Sequence, residues 1–215
     1  MNALPEDAWP NYSLGNDETS RVATRLGPEK ATAMNMILML LKGTPFTYYG
    51  EEIGMVDGAS VSRYLDSYRT PMLWSAEANA GFTSATPWVP VNSDSQNVNV
   101  AKAEDTEDSI LKIYREMTNL RENEAILFGD TNLKVQDNAF VLSRVKKGNP
   151  GYLFVSNFGE NESVLDLSQM PNIAERGILS ISAPKSELGI GSSIDLANVS
   201  VPPKVSYLVT FVPKF

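Results

Sequence analysis

Residues 28–41 read as a helix that is apolar nearly all round, and a chain keeps such a helix only by burying it on most sides. Pro28 stands where a first helical position belongs, and Glu29 suits the positive end of the helix dipole. The run Ala31–Leu41 supplies the apolar surface. Lys42 and Gly43 end it, as a last-turn cation and a glycine stop. Directly afterwards, Pro45-Phe46-Thr47-Tyr48-Tyr49 reads as a buried strand between Gly43 and Gly50. Ahead of the helix, Tyr12-Ser13-Leu14 alternates as a short strand. Strand, helix and strand in this order make a βαβ unit with a right-handed crossover.

Residues 50–105 are punctuated by Gly, Pro, Asn and Ser, and read as one long loop-like region. A second helix is expected at about 106–123, where Ile110, Ile113, Tyr114, Met117 and Leu120 recur at helical spacing. From about 125 the period changes. Phe140-Val141-Leu142, Tyr152-Leu153-Phe154-Val155, Val164-Leu165, Ile178-Leu179-Ser180-Ile181 and Tyr207–Phe211 are short β runs separated by turn residues. They predict a small antiparallel sandwich, with a domain boundary near residue 124.

The 215 residues carry no cysteine, no histidine and a formal net charge of -8. Disulfides, thiol nucleophiles, Cys/His zinc sites and imidazole catalysis are thereby excluded. An acidic chain without a basic cluster argues against nucleic acid or anionic membrane as the main partner. The opening residues lack the basic and apolar regions of a signal peptide. No apolar run approaches the roughly 18 residues of a membrane span.

Several segments resemble glycoside hydrolase family 13 of the α-amylase superfamily, in its maltase and α-glucosidase branch. They are Trp9-Pro10-Asn11, Leu14-Gly15-Asn16, Arg21–Gly27, Met34-Asn35-Met36, Gly43–Met55, Arg69-Thr70-Pro71-Met72 with Trp74, Asn79–Phe82 and Trp88–Val91. The resemblance implies an α/β plus all-β fold: the C-terminal part of a (β/α)8 barrel over residues 1–124, then a small antiparallel β-sandwich over 125–215. Residues 9–16 would be barrel strand seven, 28–42 helix seven, 45–49 strand eight and 106–123 helix eight. The first half of the barrel would be supplied by a segment this chain does not contain.

In this family two carboxyls about 5–5.5 Å apart act as nucleophile and acid/base at barrel strands four and five. Neither strand is in this chain, so no catalytic residue of that pair is expected here. After strand seven the family reads Asn-His-Asp-x-x-Arg, and the His and Asp bind sugar hydroxyls. Here the spacing reads Asn16-Asp17-Glu18-Thr19-Ser20-Arg21. Asp17 replaces a donor-capable imidazole by an acceptor-only carboxylate. Glu18, at the transition-state-stabiliser position, is one methylene too long, and a misplacement of about 1 Å costs on the order of 100-fold in rate. Asn16, Asp17 and Arg21 are the substrate-binding candidates. The plainer reading is a polar loop in which Arg21 pairs with Glu18 or Asp17.

Glu51-Glu52 invites an acid/base reading, but the resemblance makes it structural. Tyr48, Tyr49, Trp74 and Trp88 suit sugar stacking, although aromatics at such positions more often fill a core. Asp57 and Asp66 lie near other polar residues, but no dense oxygen-ligand loop points to calcium. No metal or cofactor is expected. Three sequons begin at Asn11, Asn161 and Asn198. Asn161 and Asn198 are expected on sandwich loops as glycosylation sites, and Asn11 inside a buried strand.

One animal branch of the family is non-catalytic and forms the extracellular glycoprotein heavy chain of amino acid transporters. The Trp-Pro-Asn, Ser-Arg and Arg-Leu-Gly flanks here resemble it. This reading implies a membrane transporter light chain as partner, and places anchor and linking cysteine upstream, on the extracellular side of the plasma membrane. The alternative is an α-glucosidase acting on oligosaccharide substrates such as maltose.

Overall fold

The structure, a computed structural model, describes residue 5 and residues 8–59 and 64–215. Much of the leading segment weighed as a signal peptide therefore lies outside the described residues. The chain divides into two units: residues 11–38 with 45–116, and residues 117–215 with 39–44 and 8–10.

In the first unit, strands β1 (Asn11–Ser13) and β2 (Thr44–Phe46) pair as a two-stranded sheet. Helices α1 (Val22–Leu26) and α2 (Pro28–Leu40) lie between them in sequence. Helix α2 buries Ala31, Ala33, Met36, Leu38 and Leu40, as its apolar composition demands. The strands are shorter than the runs expected at 9–16 and 45–49. The reason is local: Tyr48 and Tyr49 leave the ladder to enclose Arg21, and Tyr48 N–H donates to the Glu51 carboxylate at 3.1 Å.

The long stretch after β2 is built from short turns rather than left open. Ile53, Met55, Met72, Leu73, Ala80 and Leu111 form its own apolar core. The helix expected at 106–123 is the shorter α4 (Ile110–Leu120), and the stretch read as loop-like ends in a helix of its own, α3 (Val100–Asp105). Asn99 caps α3, its side chain accepting from Lys102 N–H at 2.8 Å. Ser109 Oγ accepts from Lys112 N–H at 3.3 Å in the first turn of α4.

The second unit begins with helix α5 (Glu124–Phe128), which buries Ala125 and Ile126. Seven of the eight strands that follow are β3 (Asp130–Gln136), β4 (Ala139–Val145), β5 (Gly151–Asn157), β6 (Ser163–Leu165), β7 (Arg176–Ala183), β8 (Ser193–Asp195) and β9 (Val199–Val201). The last is β10 (Ser206–Phe211). Six of them form one sheet in the order β3-β4-β5-β10-β7-β8, and β6 pairs with β9. Every pairing in the six-stranded sheet and that of β6 with β9 is antiparallel. One core joins both sheets, with Val141, Leu153, Val155, Leu179 and Val209 from the larger and Leu165, Val199 and Val201 from the smaller. β3 escaped the sequence reading because its alternation is polar; Leu133 and Val135 are exposed, and the strand is held by its register on β4.

Candidate functional site

The Asn16–Arg21 segment is a tight polar turn. Asn16 Oδ1 accepts the Glu18 N–H at 2.9 Å, an Asx turn that closes the loop on itself. Asp17 does not pair with Arg21. Its Oδ2 accepts from Arg69 Nη2 at 2.9 Å, and its carbonyl accepts from Arg69 Nε at 3.1 Å. Glu18 is exposed, and among the described residues its carboxylate has no partner.

Arg21 is 1% exposed and points the other way. Its backbone N–H donates to Asp57 Oδ1 at 2.7 Å, and Nη1 donates to the Tyr49 carbonyl at 2.5 Å. The guanidinium carbon lies 4.8 Å from the Tyr48 ring centre and 4.6 Å from that of Tyr49. This is a cation–π cage. Nε and Nη2 have no hydrogen-bond partner among the described residues. The expected pairing of Arg21 with Glu18 or Asp17 is therefore replaced by two separate anchors, Asp57 and the tyrosine pair.

Asp57, weighed as a calcium ligand, is occupied as a clamp: Oδ2 accepts from Ser20 Oγ at 2.6 Å while Oδ1 holds Arg21 N–H. Asp57 N–H donates to Thr24 Oγ1 at 2.7 Å. Asp66 takes part in a turn through its carbonyl, which accepts Arg69 N–H at 3.1 Å.

Glu51 is 2% exposed. Besides Tyr48 N–H, its backbone carbonyl accepts from Asn35 Nδ2 at 3.1 Å. Burial pushes the Glu51 carboxyl above the usual carboxylate range, opposed by the Tyr48 hydrogen bond and by Arg21. A Cβ on Gly15 would lie 2.8 Å from Glu51 Oε1, which explains a glycine there. Glu51 thus ties the segment after β2 to α2, and its Oε1, against Gly15, has no hydrogen-bond partner among the described residues. Burial and the neighbouring Tyr49 push the Tyr48 hydroxyl up to about 12.

Two of the aromatics expected in a core are not there. Trp74 is 50% and Trp88 61% exposed, and with Tyr49, Arg69, Met72 and Phe82 they line a cleft of about 460 Å3. Their neighbours Leu73 and Val89 take the buried positions instead. Asn11 is exposed in this chain, because β1 carries only one partner strand and its outer face is open. Asn161 and Asn198 are exposed at bends that lead into β6 and β9.

The sequence pattern described as "Alpha amylase, catalytic domain" matches residues 1–130, and the chain belongs to this family. Among relatives, it is 40% identical over 180 residues to "Amino acid transporter heavy chain SLC3A1" of Rattus norvegicus, covering 79% of this chain and 26% of that protein. The Mus musculus protein of that name is 37% identical over 216 residues, 94% of this chain and 31% of the relative. "Maltase 1" of Drosophila virilis is 32% identical over 224 residues, 94% and 35%. The chain thus spans about a quarter to a third of the length of these relatives. Among solved structures, Bacillus licheniformis trehalose-6-phosphate hydrolase superposes with a TM-score of 0.81 at 24% identity, over 94% of this chain and 43% of that one. At that identity the likeness speaks for the fold alone.

The sequence reading missed Arg69 as the partner of Asp17. Arg69 was visible in Arg69-Thr70-Pro71-Met72, but a pairing across 52 positions leaves no local signal. Among the described residues no helix is long and apolar enough to cross a membrane.

Proposed function

We propose that this chain is the C-terminal part of a non-catalytic glycoprotein heavy chain that supports amino acid transport from the extracellular face of the plasma membrane. Residues 1–124 are the last two strand–helix units of a (β/α)8 barrel, and residues 125–215 are a β-sandwich domain. The partner is a membrane transporter light chain. The observation that carries this reading is the Asp17–Arg69 pair at 2.9 Å. A position that would face sugar in a hydrolase is engaged by an internal cation, and it cannot donate a hydrogen bond as an imidazole does. Glu18, longer than the residue it replaces, lies exposed. Asn16 spends its side-chain oxygen on the turn, and Arg21 is sealed behind two tyrosine rings. Asn161 and Asn198 are the glycosylation sites of this reading; both are exposed. The similarity to heavy chains of rat and mouse supports it.

The second reading is a retaining α-glucosidase, favoured by the similarity to maltase and by the open aromatic cleft at Trp74 and Trp88. The full-length parent decides between them. Under the heavy-chain reading it does not hydrolyse 4-nitrophenyl α-glucoside or maltose, and Asp17→His with Glu18→Asp restores nothing. Clear turnover by the unmodified parent overturns it. Co-purification of a multi-span membrane protein with the parent then identifies the partner.

A further inference from the structure

The six-stranded sheet has a second apolar face. A sandwich sheet turns one face to the core and the other to water, and the outer face is normally polar. Here a row crosses the sheet from Ser193 on β8 through Ile178 on β7 to Thr210 on β10. Ile178 is 46% exposed in the middle of that row. Alongside it the last residues run as a wall, with Val212 82% and Phe215 62% exposed. Residues Gly148, Asn149 and Pro150 also line this open groove, whose volume is about 790 Å3.

The wall is fixed in place. Lys214 N–H donates to the Asn172 carbonyl at 3.1 Å, and Asn172 Nδ2 returns a bond to the Lys214 carbonyl at 2.7 Å. Lys214 Nζ pairs with Glu175 at 2.9 Å. Ser180 Oγ and Thr210 Oγ1 bond each other at 2.7 Å, so neither hydroxyl makes the floor strongly polar.

Among the described residues Arg176 is the one charged side chain lining this groove. Its Nε donates to Ser193 Oγ at 2.9 Å, which orients the guanidinium. Glu175 is paired with Lys214, and Asp195, opposite Arg176 across β7 and β8, accepts Ala197 N–H at 2.9 Å and forms no ion pair with Arg176 among the described residues. A roomy apolar trough with one oriented guanidinium, whose terminal nitrogens have no carboxylate in ion-pair contact among the described residues, suits a ligand with an apolar body and an anionic end.

We propose that the groove over β7, β8 and β10 binds a small amphipathic carboxylate, its apolar body against Ile178, Val212 and Phe215 and its carboxylate on Arg176. This site is independent of the heavy-chain reading, since it uses no residue of the Asn16–Arg21 loop. The test is calorimetric titration of the full chain with decanoate, kept below its micelle concentration, and with decanol as the uncharged comparison. Decanoate is expected to bind saturably at one site. Arg176→Gln weakens it by about tenfold, the loss of one charge-assisted hydrogen bond. Ile178→Glu abolishes it by placing a like charge in the trough. Both positions are exposed, and far-ultraviolet circular dichroism verifies that the variants fold. Absence of saturable heat overturns the proposal and leaves an apolar protein segment as the cover of this face. Binding unchanged by Arg176→Gln, or equal binding of decanol, overturns the carboxylate assignment. Binding that survives Ile178→Glu overturns the location.

Discussion

Arg21 and Arg144 are both almost wholly buried arginines without a carboxylate partner, one in each unit, and they are satisfied to very different degrees. Every nitrogen of Arg144 donates: Nε to the Ala125 carbonyl at 3.3 Å, Nη2 to the Ile126 carbonyl and Nη1 to Thr131 Oγ1. The carbonyls belong to helix α5, whose C-terminal half attracts a cation. Burial lowers the Arg144 guanidinium to about 10, helped by the like charge of Arg121. Arg21 has one side-chain hydrogen bond, two tyrosine faces and two N–H-bearing nitrogens left over. The contrast extends beyond the pair. Seven buried side-chain atoms lack a partner among the described residues, on Arg21, Asn35, Glu51, Thr70, Asn92 and Asp94, and all belong to the first unit. The β unit completes its own polar network; the α/β unit leaves hydrogen-bonding capacity unfilled. The chain covers 26% of the length of the rat heavy chain and 35% of that of the maltase it resembles.

The sharpest way to break the comparison is at Arg144. Arg144→Met takes a donor from three acceptors, of which the Ala125 carbonyl keeps Gly129 N–H at 3.1 Å, and is expected to cost about 3 kcal/mol in urea unfolding followed by circular dichroism. Arg21→Met removes two unpartnered nitrogens together with one hydrogen bond, so its cost is expected below about 1 kcal/mol by the same measurement. Equal losses at the two sites would mean that Arg21 is as fully satisfied as Arg144.

A third test uses pH. Burial lifts the Glu51 carboxyl, so the folded chain keeps that proton at pH values where the unfolded chain has released it. This group's contribution is most favourable at low pH, and falls as pH rises from the usual carboxylate range through the raised value. Glu51→Gln lacks that dependence. Its stability relative to the unmodified chain is therefore expected to improve from pH 4 toward pH 7, read from melting temperatures across that range. A difference that stays flat with pH refutes a raised Glu51. The smallest effect belongs to Trp88→Ala, expected within about 0.5 kcal/mol of the parent because the ring is more than half exposed.

The fold was legible where local rules and burial agree. Helix α2 announced itself through Pro28, Glu29 and an unbroken apolar run, and β4, β5, β7 and β10 through short β-branched and aromatic stretches. Strands β8 and β9 were not legible, because Ser-Ile-Asp and Val-Ser-Val hold no two adjacent apolar residues, unlike the equally short β6 with Val164-Leu165. The site was half legible. The substitutions at Asp17 and Glu18 stood in the sequence, but Arg69 and Asp57 reach the loop from 52 and 36 positions away. Trp74 and Trp88 misled because hydrophobic type says what a side chain prefers, whereas Leu73 and Val89 beside them already held the inward positions.

Arg121 closes the end of helix α2. Its guanidinium donates to the carbonyls of Met39, Leu41 and Gly43 at 2.7, 3.2 and 2.5 Å. For anyone excising the β unit, this makes the position of the cut a chemical choice. A piece beginning at residue 117 carries a cation stripped of its three acceptors, beside an Arg144 that it repels. A piece beginning at Glu124 leaves Arg121 behind, keeps all of α5, and relieves Arg144 of its nearest like charge.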